Sequence, residues 1–212
     1  MTNIEFEKIP NSLRKPGVYT EYNAKGAVTT LPTNEQEVLI VAPMIGGATA
    51  FTQPVRVYSD LDAAEVFGAG SWAHLMTRMA ITNNSLIRLS VMGLADSSSG
   101  VAASGSLTLT GTAASQGVMT VTIAGIDYKV AVATGEKSDA VAARLNAIIN
   151  GATDCPATSA VNESTITLTA KCKGAIGNEI NLTATNTAKD MTLSATAFAN
   201  GARSEEHTSE LQ

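Results

Sequence analysis

The chain has 212 residues and a net charge of −5, with 44% hydrophobic residues but only 4% aromatics. That length allows one large or two small domains, with a core built from Val, Ile, Leu and Ala. The acidic balance and the lack of any Lys/Arg run exclude a surface built for a polyanion such as nucleic acid. No apolar stretch nears the ~20 residues that span a bilayer, and MTNIEFEKIP lacks the basic-then-apolar pattern of a secretory signal. We therefore expect folding in a reducing cytoplasm.

Residues 1–35 carry Pro10, Pro16, Gly17, Gly26 and Pro32 and few helix signals, which predicts an extended arm with turns. Val18 and Tyr19, with Tyr22 close by, are apolar groups in an otherwise polar segment; they either pack on their own domain or dock on a neighbouring subunit. Val38 to Ala42 reads VLIVA, a continuous apolar run expected of a strand buried on both faces. A loop follows at Pro43 to Gln53, containing Gly46-Gly47. Val55 to Tyr58 reads as a short strand. Ser59 then opens a helix, with Asp62 three residues on completing a capping box. Gly68 and Gly70 break that helix and Ser71 caps a second one, whose Trp72, Leu75, Met76 and Met79 are spaced to share one face. Asn83-Asn84 turns the chain. Ile87, Leu89 and Val91 then alternate with Arg88 and Ser90 as a half-buried strand. Residues 36–94 thus form a partial α/β domain of three strands and two helices, small for an independent core.

Residues 95–104 form a Ser/Gly/Ala linker. Beyond it, residues 105–200 change to period-two patterning with threonine outward: Leu107 and Leu109, then Met119, Val121 and Ile123, then Tyr128, Val130 and Val132 after the Gly125 turn, then Ile166 and Leu168, then Ile180 and Leu182. That is a sheet with one wet face. Between the strands Ser138 to Asn150 reads as one helix, capped by Ser138 and closed by Gly151. Its Val141, Leu145, Ile148 and Ile149 are expected to cover the dry face of the sheet, at about 1.5–3 kcal/mol per buried side chain. The fold class is α+β or mixed α/β: an incomplete main domain with an extended arm, plus an inserted β-rich domain with one helix on a sheet.

No catalytic, cofactor or metal site can be assembled. Gly68-Ala69-Gly70-Ser71 has glycines like a phosphate loop, but it lies between two helices and no Lys follows, so a helix C-cap and tight turn is the expected reading. His74 is a lone histidine on a helix, expected to be structural. Asp60, Asp62 and Glu65 suit the dipole of a helix start. Lys173 to Asn178 is turn chemistry between strands. Cys155 and Cys172 lack metal-like spacing and are expected to be reduced, small apolar residues.

IPNSLRKPGVYTEYN (Ile9 to Asn23), EVLIVAP (Glu37 to Pro43) and PVRVYSDLDAAEVFGAGSWAHLM (Pro54 to Met76) together resemble the start of contractile-tail sheath proteins of Mu-like bacteriophages. The PGVY element followed by Phe67, Gly68, Ala69, Gly70 and Ser71 carries the resemblance. It covers residues 1 to about 95 well, and the following region more loosely, as the inserted domain such sheaths carry. It implies a structural subunit, not an enzyme, with no cofactor. Its partners would be other copies of itself, a tail tube protein and baseplate components, with no nucleic acid and no membrane. It would be assembled in the host bacterial cytoplasm and located in the virion tail. Pro16, Gly17, Val18, Tyr19 and Tyr22 become the candidate subunit-interaction arm. Residues 203–212, RSEEHTSELQ, are similar to the translation of a sequencing adapter, so we expect a non-native tail and a chain that lacks the remainder of its main domain. The alternative is that the β-rich region is an adhesion or carbohydrate-binding module. Having Tyr128 as the only aromatic on its assigned strands disfavours that reading.

Overall fold

A computed structural model of the chain describes residues 16–18, 37–45, 53–96 and 99–202. Residues 1–35 and 36–212 are separate compact units. In the first, Pro16, Gly17 and Val18 are described and all three are exposed; Tyr19 and Tyr22 lie outside the described residues.

The second unit begins with an α/β layer. Its strands are β1 (Glu37–Pro43), β2 (Val55–Val57) and β3 (Arg88–Leu94), with helices α1 (Asp60–Phe67) and α2 (Trp72–Asn83) between β2 and β3. The sheet order is β1-β3-β2, with β1 parallel and β2 antiparallel to β3. Both helix starts follow the capping chemistry of the sequence: the Asp62 amide donates to Ser59 Oγ at 3.1 Å, and the His74 amide to Ser71 Oγ at 3.1 Å. Ile40, Ala42, Val57, Leu89 and Val91 from the sheet pack with Ala63, Phe67 and Ala73 from the helices into one small core.

Two expectations fail here for one reason. β1 is buried on one face only, because both helices lie on the same side of the sheet; Leu39 and Val41 face outward. α2 does not bury its Met76/Met79 stripe. It buries Ala73, His74 and Thr77, and both methionines are exposed. Small side chains let a helix approach a sheet closely, and the Thr77 hydroxyl is satisfied within the helix, donating to Ala73 O at 2.7 Å. The longest apolar stripe is left pointing away.

The rest of the unit is β-rich. A four-stranded antiparallel sheet has the order β10-β4-β8-β7, from β4 (Ala102–Gly111), β7 (Ala157–Asn162), β8 (Thr165–Lys173) and β10 (Met191–Ala199). A three-stranded sheet has the order β6-β5-β9, from β5 (Gly117–Ile123), β6 (Ile126–Val132) and β9 (Leu182–Asn186). Both sheets and the helix α3 (Ser138–Gly151) share one core, including Leu107, Leu109, Met119, Val121, Leu145 and Leu168. The period-two reading is correct in β4, β5, β6 and β8, with threonines outward, whereas Ile180 lies ahead of β9 at the end of a 3-10 helix; Thr110 and Thr192 pair hydroxyl to hydroxyl across strands at 2.6 Å. Hairpin β5–β6 turns on Ala124 and Gly125 at φ 51° and 83°, the primed geometry that matches strand twist.

α3 departs from expectation at its ends and on its face. Lys137 is the N-cap, without a side-chain hydrogen bond; Ser138 is the first helical residue, and its hydroxyl turns to Asp139. Gly151 stays helical and Ala152 is the C-cap. The buried face is Val141, Ala142, Leu145 and Ile149, whereas Ile148 is exposed. α3 lies against edge strands of both sheets. Asn150 satisfies β7: its Nδ2 donates to Ser159 O at 2.7 Å, and the Ser159 amide donates to Asn150 Oδ1 at 2.9 Å. Arg144 Nη2 donates to Ala131 O of β6 at 2.8 Å. The expected glycine turn after β8 is a short 3-10 helix, Ala175–Glu179. The region closes where it opened, with Val101 and Ala202 exchanging two backbone hydrogen bonds of 3.0 and 3.1 Å.

Candidate assembly surfaces

The outward face of the three-stranded sheet carries an apolar strip on β1 and β3, bordered by Glu37, Arg88 and Arg56 on the same face. Register pairs Leu39 with Ser90, Val41 with Met92 and Pro43 with Leu94, so these residues form one face. Leu39 is 53% exposed and Val41 49%, Leu94 is exposed and Met92 is half-buried. Polar groups sit toward one end, where the Ser90 hydroxyl donates to the Glu37 carboxylate. β1 and β2 are the outer strands, so each has a backbone edge unpaired within this sheet. Further exposed apolar side chains are Leu61 on α1, Met76 and Met79 on α2, and Leu86 in the turn that follows α2.

Between the α/β layer and the β-rich region lies a polar junction that the sequence did not reveal. Gly70 turns at φ 82°, and a Cβ there would come within 2.4 Å of Cys155 O and 2.7 Å of Lys171 Nζ. The Gly70 amide donates to His74 Nδ1 at 3.0 Å. The neutral imidazole therefore carries its proton on Nε2, which lies 2.8 Å from Asp60 Oδ1, off axis for a well-formed hydrogen bond. Arg78 Nε donates to both Asp60 oxygens at 3.2 Å, and its Nη1 donates to Asp154 Oδ2 at 2.7 Å. Lys171 Nζ donates to Ala69 O at 3.1 Å and Thr153 O at 2.9 Å. Trp72 packs against both hydrophobic cores. Arg78 holds the Asp154 carboxyl below its ordinary range, and the two carboxylates, Asp154 first, raise the guanidinium.

His74 is buried in this junction, and no group of three or more metal-ligating side chains occurs among the described residues. Cys155 and Cys172 are unbonded and buried. Burial pushes the Cys172 thiol up to about 11. The Tyr128 hydroxyl is buried beside Cys155 without a well-formed hydrogen bond; burial first, then Cys155, push its pKa above the ordinary phenol value, which disfavours ionisation. A cavity of about 250 Å³ beside the junction is reached by Lys171, whose ammonium is already held by Ala69 and Thr153. Gly68 and Gly70 are left-handed turn residues, as their spacing implied, with φ 87° and 82°. The sequence missed Arg78, Asp154 and Lys171 because their partners lie between 18 and 102 residues away, separations at which no local pattern signals contact.

The described surfaces combine exposed apolar side chains with a braced polar junction. The chain is 38% identical over 165 residues to the Mu-like prophage FluMu tail sheath protein of Haemophilus influenzae (strain ATCC 51907 / DSM 11121 / KW20 / Rd), a match covering 77% of this chain and 34% of that relative. No family model matches. The chain belongs to the tail sheath family of Mu-like phages. It spans about a third of the length of the relative it matches.

Proposed function

We propose that the protein is a structural subunit of a contractile phage tail sheath. In this reading it polymerises around a tail tube and changes its lattice contacts to drive the tube into a host cell. The observation that carries the proposal is the relationship to a tail sheath protein over 77% of the chain. Two structural features support it. The apolar strip on the sheet face, with unpaired strand edges beside it, is suited to strand addition and layered packing between chains. The β-rich region enters at Val101 and leaves at Ala202, side by side, as a domain inserted into a longer chain must. The arm around Pro16, Gly17, Val18, Tyr19 and Tyr22 would link neighbours, the α/β layer would belong to the lattice, and the β-rich domain would be its accessory. Partners in this reading are copies of itself, a tail tube protein and baseplate components; chemistry and cofactors are not required.

The test is co-expression of the uninterrupted gene with its tail tube neighbour, followed by electron microscopy. Helical tubes of two diameters, wide-short and narrow-long, are the expected result. A monomer that never decorates the tube at high concentration overturns the reading. A glycan-array signal from the isolated protein would instead favour the carbohydrate-binding alternative.

A further inference from the structure

We propose that the Gly70–His74 hydrogen bond is an acid-sensitive latch between the α/β layer and the β-rich region. Protonation of His74 releases the turn that carries Gly70, and the two layers lose their fixed register while each keeps its own core. Neither polymerisation nor contraction is needed for it.

The latch depends on the acceptor state of one ring. His74 is 2% exposed, and its Nδ1 accepts the Gly70 amide at 3.0 Å. Only a neutral imidazole has an acceptor nitrogen; once it is charged, both ring nitrogens are donors. Nδ1–H would then confront the Gly70 N–H, and that bond cannot persist. On its other side the charged ring keeps a partner, because Nε2 lies 2.8 Å from Asp60 Oδ1. The imidazolium therefore stays with Asp60 and gives up Gly70.

Gly70 is also the point where the layers touch. A Cβ there would lie 2.4 Å from Cys155 O, and the preceding carbonyl, Ala69 O, accepts Lys171 Nζ of β8 at 3.1 Å. A turn that loses His74 moves off Cys155 and withdraws an acceptor from Lys171. Charged and titratable groups reach this region from each neighbouring element. Asp60 of α1 favours the imidazolium, whereas Arg78 of α2 and Lys171 of β8 oppose it. Asp154 and Cys155 of the α3–β7 turn, Tyr128 of β6 and Cys172 of β8 complete the set. Arg78 holds Asp154 charged further into acid than an ordinary carboxyl, so this tether still joins the layers when the turn is released. Packing within each layer rests on its own hydrophobic cluster and not on the ring.

The test uses the full 212-residue chain with His207→Gln, which leaves His74 as its one histidine. Spin labels are attached at Met79→Cys on α2 and Val118→Cys on β5, both exposed; the native thiols are buried and give a low background. Between about pH 8 and about pH 5, the range in which histidines change charge, NMR follows the His74 ring. Hydrogen exchange, corrected for its intrinsic pH dependence, follows the Gly70 amide, and double electron–electron resonance follows the distance between labels. We expect Gly70 protection to fall about tenfold or more and the distance distribution to broaden, both at the midpoint of the ring titration. His74→Asn supplies an acceptor that does not titrate and should keep the distribution narrow throughout. His74→Phe supplies none and should be broad at every pH. Far-UV circular dichroism shows whether each variant is folded; where neither variant folds, coincidence of the three midpoints in the parent decides. Four results overturn the latch: a ring that charges while Gly70 protection and the distance stay unchanged, a ring that stays neutral across the range, acid broadening that persists in folded His74→Asn, or loss of the far-UV signal at the same midpoint. The third would transfer the effect to the carboxylates, and the fourth would make the step global unfolding.

Discussion

Arg78 and Asp154 meet at 2.7 Å although 76 residues separate them, and Arg78 simultaneously grips Asp60 with its other guanidinium edge. One side chain on α2 thus joins the start of α1 to the turn between α3 and β7. The three side chains are between 30% and 43% exposed, so solvent screens the attraction, and each pair contributes less than a buried bridge would. A double-mutant cycle with Arg78→Met and Asp154→Asn should give a coupling energy of about 0.5–1 kcal/mol in chemical denaturation. The single Arg78→Met should cost about 1–2 kcal/mol, because it leaves two carboxylates near His74 without their cation. Additive single effects would show that the contact does not hold the junction.

The same junction sets a pH dependence. Asp154 is held below its usual 3.8 by Arg78, so the unfolded chain takes up the proton more readily. The stability it contributes is complete above 3.8 and is lost as pH falls through the lower folded value. Asp96 has the opposite sign. Burial raises its carboxyl above 3.8, against the opposing hydrogen bond from the Lys173 amide at 2.8 Å. Its contribution is therefore complete below 3.8 and lost as pH rises through the folded value. Asp154→Asn should flatten the acid limb of a plot of melting temperature against pH. Asp96→Asn keeps an acceptor for Lys173 and should raise the melting temperature near neutrality. Equal slopes below pH 4 in the parent and Asp154→Asn proteins would refute the first assignment.

Gly70 and Gly125 share a backbone conformation, φ 82° and 83°, but not surroundings. Around Gly125 a Cβ meets nothing within 4 Å, whereas at Gly70 it strikes Cys155 O and Lys171 Nζ. Gly125→Ala should therefore cost only the left-handed penalty, about 1 kcal/mol. Gly70→Ala adds a collision with backbone and a displaced ammonium, and should cost about 3 kcal/mol or more. Denaturant midpoints of the two variants measure the difference. Comparable losses would mean that the layers are not tightly apposed at this turn.

Local chemistry was legible in the sequence and long-range pairing was not. Ser59, Ser71, Gly68, Gly70 and Gly125 act through neighbours two to four residues away, and each turn or cap was readable. The alternation of Leu107 to Leu109 and of Ile166 to Leu168 survives because a strand's faces are fixed by period two. α2 misled because its apolar stripe and its buried stripe differ. Hydrophobicity favours Met76 and Met79, but close approach to the sheet selects Ala73 and Thr77. VLIVA was read as buried on both sides because the sequence of β1 asks for two layers and the described chain supplies one. Of the candidate arm, Pro16, Gly17 and Val18 are exposed.

Asn150 gives the last prediction. Its carboxamide presents a donor to Ser159 O and an acceptor to the Ser159 amide, as the backbone of a neighbouring strand would. β7 is an edge of its sheet, and Val161 on it is partly exposed, so the edge would otherwise be a template for pairing with another chain. Asn150→Ala removes both bonds at about 1 kcal/mol each and uncovers the edge. It should lower the melting temperature and increase light scattering during incubation below the melt. Asn150→Asp keeps the acceptor, loses the donor and puts a negative charge on the edge. It should lose stability without gaining scattering, because charge on an edge strand opposes pairing. Scattering that follows stability alone in both variants would mean that this amide only anchors α3 and does not guard the strand.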